Sequence, residues 1–347
     1  MKKLICRVPC SAISGYKKLI NKTVEVLRQN YDLTLFPIEG FFQEKTDYQF
    51  GKITKENFKA DELIISSLPL DRYGSLINVL PDKDNISFIT MWESTYLPRF
   101  SVEELNYFQG KIMVPSLWNV DVFKLSGVKR VNHLPLFVDD SLFVYKEKSD
   151  LKKFTFCAGA CSATSSGNGK RKNFEIILSA FRKAFKNVKD VEIKFKLSVC
   201  DKPKLSNILD DRISFNYKDL TDFEVHEYLK ESDVFVTSAK AEGWGFFQIE
   251  SLAIGRPVIT ANYGGVKDFC NKDNSFFVDY EEQLAINAWG KNGGYWAEVK
   301  EESLIEQMRY CYENKDNIRH NWQKYSESVL PKFSLKNYEF NLINLLN

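Results

Sequence analysis

"VFVTSAKAEGWGFFQIESLAIGRPVITA" (234–261) holds, in order, a strand, a turn, a helix and a second strand. "VFVTSA" (234–239) and "PVITA" (257–261) are short continuous apolar runs, the pattern of strands covered on both faces. Parallel neighbours need a crossover, and the intervening residues supply one that starts near Gly245. The stretch therefore reads as one unit of a doubly wound sheet.

The same alternation runs through the chain. "KLICRV" (3–8), "LTLFPI" (33–38), "ELIISSL" (62–68), "ISFITM" (86–91), "KIMVPS" (111–116) and "VNHLPL" (131–136) read as strands. An amphipathic helix over 16–29 places Leu19, Ile20, Val24 and Leu27 on one side. A second series opens at "FTFCAG" (154–159). It continues with a helix over 174–185, strands over 192–199 and 213–217, a helix over 222–230, the quoted unit and "SFFVDY" (275–280). The charged stretch 144–153 suits a linker. The expected organisation is an α/β chain of two Rossmann-like domains, 1–147 and 148–330, facing across a cleft. A helix over 331–347 is expected to pack back on the first domain.

Length and composition agree with this. At 347 residues the chain is long for one core and right for two. Lys plus Arg number 48 against 46 for Asp plus Glu, which argues against a nucleic-acid partner. The seven cysteines include no CxxC and no zinc spacing, so free thiols in a reducing compartment are expected. No stretch is long and apolar enough to span a membrane, and the first ten residues are too interrupted for a signal peptide. A cytoplasmic protein is expected. Lys17, Lys18, Lys22 and Arg28 on the first helix permit a peripheral membrane contact or simply form a solvated face.

Glu242 and Glu250 bracket seven residues that include Gly243 and Gly245. The glycines allow unusual backbone angles and a close ligand. The first N–H groups of the helix, near Gly245, Phe246 and Phe247, lack intrahelical partners and favour a phosphate. Glu250 lies about five residues further, roughly 7.5 Å along the axis. That is the reach from a diphosphate to a ribose diol, which one carboxylate can hold with two hydrogen bonds. Glu250 interrupts an apolar stripe, so it needs a partner: a ligand, a lysine or arginine, or solvent at the helix flank.

The segment 238–269, with Glu242, Gly243, Gly245, Glu250, Gly255, Pro257–Ile259 and Gly264–Gly265, resembles the signature of family 4 glycosyltransferases. These are group 1, retaining enzymes of the GT-B fold. "TMWESTYLP" (90–98), "VPSLWNVDVFKLSGV" (114–128), "HLPLFVDDSLF" (133–143), "RKNFEIILSAF" (171–181) and "GGYWAEVKEESLIEQMRYCYEN" (293–314) extend the resemblance over roughly 86–330. It implies that the second domain binds a nucleotide-diphosphate sugar. Glu250 would hold the ribose, N–H groups around Phe246 and Phe247 the phosphates, and Glu242 the transferred sugar. Lys172 would contact the diphosphate, unless it is an ordinary solvated lysine. A glycan, lipid-linked or small-molecule hydroxyl would be the acceptor.

Some family features are absent. The arginine usual soon after the first strand of the second domain is replaced by Ala160, leaving Arg171 or Lys170 as substitutes. The first-domain histidine is missing where Trp92 and Glu93 stand. Glu93 then falls to the acceptor side, to a buried structural role or to a helix cap. Gly15 in "SGY" (14–16) belongs with the acceptor side by general pattern. The small-residue loop 165–169 is expected to be mobile until ligand binds. There is no Asp-x-Asp triplet and Asp139–Asp140 are merely adjacent, so metal independence is expected and no cofactor beyond the donor substrate. Two rival readings stay open: a degenerate GT-B protein that binds without transfer, and another GT-B activity such as an epimerase.

Overall fold

The computed structural model describes residues 1–8, 15–37, 62–66, 86–159, 171–197, 209–286 and 292–347. The expected loop 165–169 and Lys170 lie outside them, as do Cys10, Cys161 and Cys200. The contacts divide the chain into two units. One comprises Met1–Trp92, Tyr96–Leu136 and Lys336–Asn347; the other comprises Glu93–Thr95 and Phe137–Leu335.

The first unit is a six-stranded sheet. Its elements are β1 (Lys3–Val8), α1 (Gly15–Asn30), β2 (Asp32–Pro37), β3 (Glu62–Ser66), β4 (Ile86–Ile89), α2 (Arg99–Tyr107), β5 (Ile112–Val114), α3 (Leu117–Leu125) and β6 (Val131–His133). The order is β2-β1-β3-β4-β5-β6, with every pairing parallel. Phe88, Phe108, Ile112 and Phe123 sit at the centre of its core. The stripe on α1 is used as its spacing demands: Leu19, Ile20, Val24 and Leu27 are all buried. Ser116 caps α3 by accepting from the Asn119 N–H.

The second unit starts its sheet at β7 (Phe154–Gly159), followed by α4 (Phe174–Ala184), β8 (Val191–Lys196), β9 (Ile213–Asn216), α5 (Asp222–Lys230) and β10 (Val234–Val236). Then come α6 (Phe246–Ala253), β11 (Val258–Ala261), a 3₁₀ turn (Gly264–Asp268) and β12 (Ser275–Val278). The order β12-β11-β10-β7-β8-β9, parallel throughout, is the Rossmann order of two mononucleotide-type halves. An antiparallel hairpin follows, β13 (Tyr280–Ile286) with β14 (Asn292–Val299). The sequence reading contained no such hairpin, because charged β13 and glycine-led β14 lack the apolar run of a buried strand. Helices α7 (Glu301–Glu313), α8 (Lys315–His320), α9 (Trp322–Glu327) and α10 (Leu335–Leu346) close the chain. Residues 336–347, which hold all of α10 but its first residue, group with the first unit, where the Tyr338 and Thr23 hydroxyls are 2.6 Å apart.

The charged stretch 144–153 lies inside the second unit. Its Lys148 is buried and donates to Asp233 at 2.6 Å, to the Thr155 hydroxyl at 2.9 Å and to the Lys153 carbonyl at 3.0 Å. Cys6, Cys157, Cys270 and Cys311 are buried thiols. Among the described residues no helix is long and apolar enough to cross a membrane.

Candidate active site

In the Rossmann order, strand direction of travel reverses between β7 and β10. Ligands of open α/β sheets bind beyond the carboxyl ends of the strands at that reversal. In this chain those ends are Gly159 and the 237–245 stretch. A Cβ at Gly159 would lie 3.0 Å from the Phe247 ring, so the glycine admits that ring. Phe247 stacks on Phe235 with centroids 5.8 Å apart and planes 8° from parallel. The start of α6 is thus packed flat on the strand ends.

Two turns shape the stretch before α6. Gly245 has φ +108°, a conformation an L side chain rarely adopts, and it starts the helix at Phe246. Gly264 has φ +80°, and a Cβ there would lie 2.8 Å from the Glu242 carbonyl oxygen. The Gly265 N–H donates to that carbonyl at 2.7 Å. The paired glycines therefore fix the Glu242 backbone. Trp244, between Gly243 and Gly245, is 1% exposed and packs edge-on against Phe269 and Phe333.

Arg171 and Lys172 are brought to the same place by backbone bonds. Asn173, at φ +44°, separates them from α4. The Ser238 hydroxyl donates to the Lys172 carbonyl at 3.2 Å and the Asn173 carbonyl at 2.7 Å. The Lys240 N–H donates to the Arg171 carbonyl at 2.8 Å. Asn173 also donates to Glu298 of β14 at 2.8 Å, and Lys240 pairs with the same carboxylate.

The result is a cluster of four charges. Lys172 Nζ donates to Glu242 Oε1. Arg171 Nη1 reaches Glu242 Oε2 at 3.1 Å and the Ala241 carbonyl at 2.5 Å. Arg171 Nη2 pairs with Glu93 Oε1 at 3.0 Å. Burial pushes the Glu242 carboxyl up, but Lys172 and Arg171 together outweigh it and hold the group below its ordinary value. At Glu93 burial wins. Its carboxyl is raised, with Glu242 reinforcing the rise and Arg171 and Lys172 opposing it. One carboxylate is set to stay ionised and the other to keep a proton to higher pH.

Glu250 lies one helical turn into α6, 2% exposed, on a helix buried from Gln248 to Ala253. The Ile249 N–H is the first in the helix to bond back, to Gly245 at 3.1 Å. Phe246 meets Phe137 edge-on at 5.8 Å. Of the sequence candidates, Arg171, Lys172, Glu242 and Glu93 are brought together, while Gly245, Phe246, Phe247 and Glu250 line up along the adjoining helix. Gly15 opens α1 in the first unit. Asp139 serves a local turn, accepting from the Ser141 hydroxyl, and Asp140 accepts from the distant Leu335 N–H at the start of α10. The framework residues Ser238, Asn173 and Glu298 were not found from sequence. Only Asn173 carried a signal, since asparagine is a residue that tolerates left-handed backbone. Among the described residues no group of three or more His, Cys, Asp or Glu is placed to hold a metal ion.

Comparisons with known proteins bear on this geometry. Residues 165–329 match the family described as Glycosyl transferases group 1. No curated protein matches the chain. Sucrose-phosphate synthase from Thermosynechococcus elongatus is similar in structure, with TM-score 0.74 at 11% identity over 99% of this chain and 98% of that one. HepE from Anabaena, solved in complex with UDP-glucose, aligns with TM-score 0.68 at 13% identity, covering 100% and 99%. TarM of S. aureus, solved with UDP, aligns with TM-score 0.63 at 14% identity over 82% of this chain. The match covers 55% of TarM, so the chain spans only about half of that protein's length. These likenesses share the GT-B fold.

Proposed function

We propose that this chain, a glycosyltransferase with a group 1 domain, moves a sugar from a nucleoside-diphosphate sugar to an acceptor hydroxyl with retention at the anomeric carbon. The observation that carries this reading is the Glu242 carboxylate held between Lys172 and Arg171 at the strand reversal of the second unit. A growing negative charge is best met by cations already oriented in a partly dry site. Lys172 and Arg171 are such cations. They face the departing diphosphate, while the N-terminal end of α6 adds its dipole. Glu250 accepts from the ribose hydroxyls. HepE in complex with UDP-glucose and TarM with UDP support a nucleotide diphosphate as the carrier.

In the transfer the bond from the anomeric carbon to the phosphate oxygen breaks and a bond to the acceptor oxygen forms on the same face. The acceptor proton passes to the departing phosphate oxygen. Glu242 stays ionised and orients the sugar. The chain's own residues supply all of this, so the reaction is proposed to be independent of metal ions and of any cofactor. The acceptor is proposed to be a glycan, a lipid-linked sugar or a small molecule. The proposed place of action is the cytoplasm, with a peripheral membrane contact for a lipid-linked acceptor.

A panel of UDP- and GDP-sugars tests the reading through release of nucleotide with EDTA present. One or two sugars should be consumed and should raise the Tm. Absence of both nucleotide binding and donor hydrolysis across the panel would overturn it.

A further inference from the structure

Strand β14 touches two segments that are distant in sequence. On one side it takes Glu93–Thr95. The Thr95 N–H donates to the Tyr295 carbonyl at 3.0 Å, the Tyr295 N–H donates to the Thr95 hydroxyl at 2.7 Å, and the Ser94 hydroxyl donates to the Gly293 carbonyl. Elsewhere on the strand the Ala297 N–H donates to the Lys240 carbonyl at 2.8 Å, and the Lys240 N–H in turn donates to the Arg171 carbonyl at 2.8 Å. One strand thereby holds Ser94 and Thr95, the residues directly after Glu93, and, through Lys240, the backbone of Arg171.

The two side chains then meet. A guanidinium is a flat fork, and its direction is settled only when both prongs are held. One prong of Arg171 has Glu242 and the Ala241 carbonyl; the other has Glu93. Lys172 has no comparable brace, since its ammonium is a point charge on a flexible stem resting on Glu242. Glu93 is therefore the group that decides where Arg171 faces.

Resting on the function proposed above, we propose that Glu93 is a positioning residue: by holding the second prong of Arg171 it aims the guanidinium at the donor diphosphate. This gives Glu93 a role on the donor side of the reaction. It acts through Arg171 and does not itself touch the reacting atoms.

The test uses the full chain and the UDP- or GDP-sugar that the wild type consumes fastest. Glu93→Ala should raise the donor KM and lower kcat, together about tenfold in kcat/KM, the scale of one charged hydrogen bond. Glu93→Gln, whose amide oxygen still accepts from Arg171, should recover most of that loss. In an Arg171→Ala background Glu93→Ala should add nothing, because the group it positions is gone. An unchanged kcat/KM in Glu93→Ala, or the same loss in both backgrounds, would overturn the proposal. A fall in Tm with wild-type kcat/KM would overturn it as well and leave a structural carboxylate. Should Glu93→Ala fail to fold, Glu93→Asp replaces it: the shorter side chain should lower kcat/KM, and wild-type kcat/KM counts against the proposal. Wild-type protein that neither binds UDP or GDP nor releases nucleotide removes the functional reading itself, and the proposal with it. Failure of Glu93 alone leaves the wild-type activity in place, so the two failures are distinguishable.

Discussion

Strand β10 has a carboxylate at each end, and each carboxylate lies between two cations. Asp233 comes just before the strand, between Lys148 at 2.6 Å and Arg319 at 2.7 Å. Glu242 follows the turn after it, between Lys172 and Arg171. The surroundings differ. Asp233 is 0% exposed and also accepts the Thr155 N–H at 2.7 Å, while its own N–H donates to the Thr155 carbonyl. All its bonds go to groups that tie β7, β10, α8 and the 144–153 stretch together. Burial lowers the Lys148 ammonium despite Asp233 beside it. Glu242 receives side-chain bonds from neighbouring cations only, and its backbone rests on glycines. The amino end of the strand is built to be permanent, whereas under the function proposed above the carboxyl end keeps its charges where an incoming anion can exchange for them.

The largest effect should come from breaking the permanent end. Asp233→Ala takes the only charged partner that the described residues give buried Lys148 and half-buried Arg319, so it should cost about 3–5 kcal/mol in a urea titration, with the kcat of the remaining folded protein intact. Loss of activity beyond the folded fraction would erase the contrast. At the other end Glu242→Gln should lower turnover about 10²- to 10³-fold. Its cost in stability should be smaller than that of Asp233→Ala, about 1–3 kcal/mol, because the buried amide oxygen still accepts from a cation. Full turnover would remove Glu242 from the chemistry. Glu250→Ala should weaken nucleotide binding roughly 10- to 100-fold by calorimetry, the value of hydrogen bonds to a charged group. Unchanged affinity would mean that Glu250 has only a structural partner.

Smaller changes sharpen the same contrast. Gly264→Ala puts a Cβ against the Glu242 carbonyl at φ +80°, which should cost about 1–3 kcal/mol and lower turnover as well. A pH series gives the smallest signal. The Glu242 carboxyl titrates below its ordinary 4.5 in the folded chain, so its contribution to stability is full above that value. The contribution is lost as the pH falls through the folded value. Wild type should therefore lose stability on acidification more steeply than Glu242→Gln, as read from denaturant midpoints.

The sheets were legible because buried parallel strands write themselves as apolar runs, and β7 and β10 through β12 fall where those runs are. The carboxyl ends of β7 and β11 fall where the runs end, while "VFVTSA" and "SFFVDY" overrun: β10 ends at Val236, with a last sheet bond from the Thr237 N–H to the Ile259 carbonyl at 3.0 Å, and β12 ends at Val278. Arg171 stood in the sequence only as a doubtful stand-in for an absent arginine. Its place depends on Lys240 and Ser238, some 70 residues away, which no local pattern joins to it. Glu93 was assigned by its neighbours in sequence to the first domain, yet its segment groups with the second unit through β14. A contact of three residues against one strand leaves no periodicity to read.

The path of the chain has a practical result. Besides the 136–137 passage, the unit boundaries fall at 92–93, 95–96 and 335–336. No single cut can therefore release two whole units. A fragment over 137–335 would leave β14 without Glu93–Thr95, and a truncation before Lys336 would strip the Thr23 hydroxyl of Tyr338. Proteolytic dissection of this chain should yield fragments that need each other, and their reassembly on mixing would be the measure of that dependence.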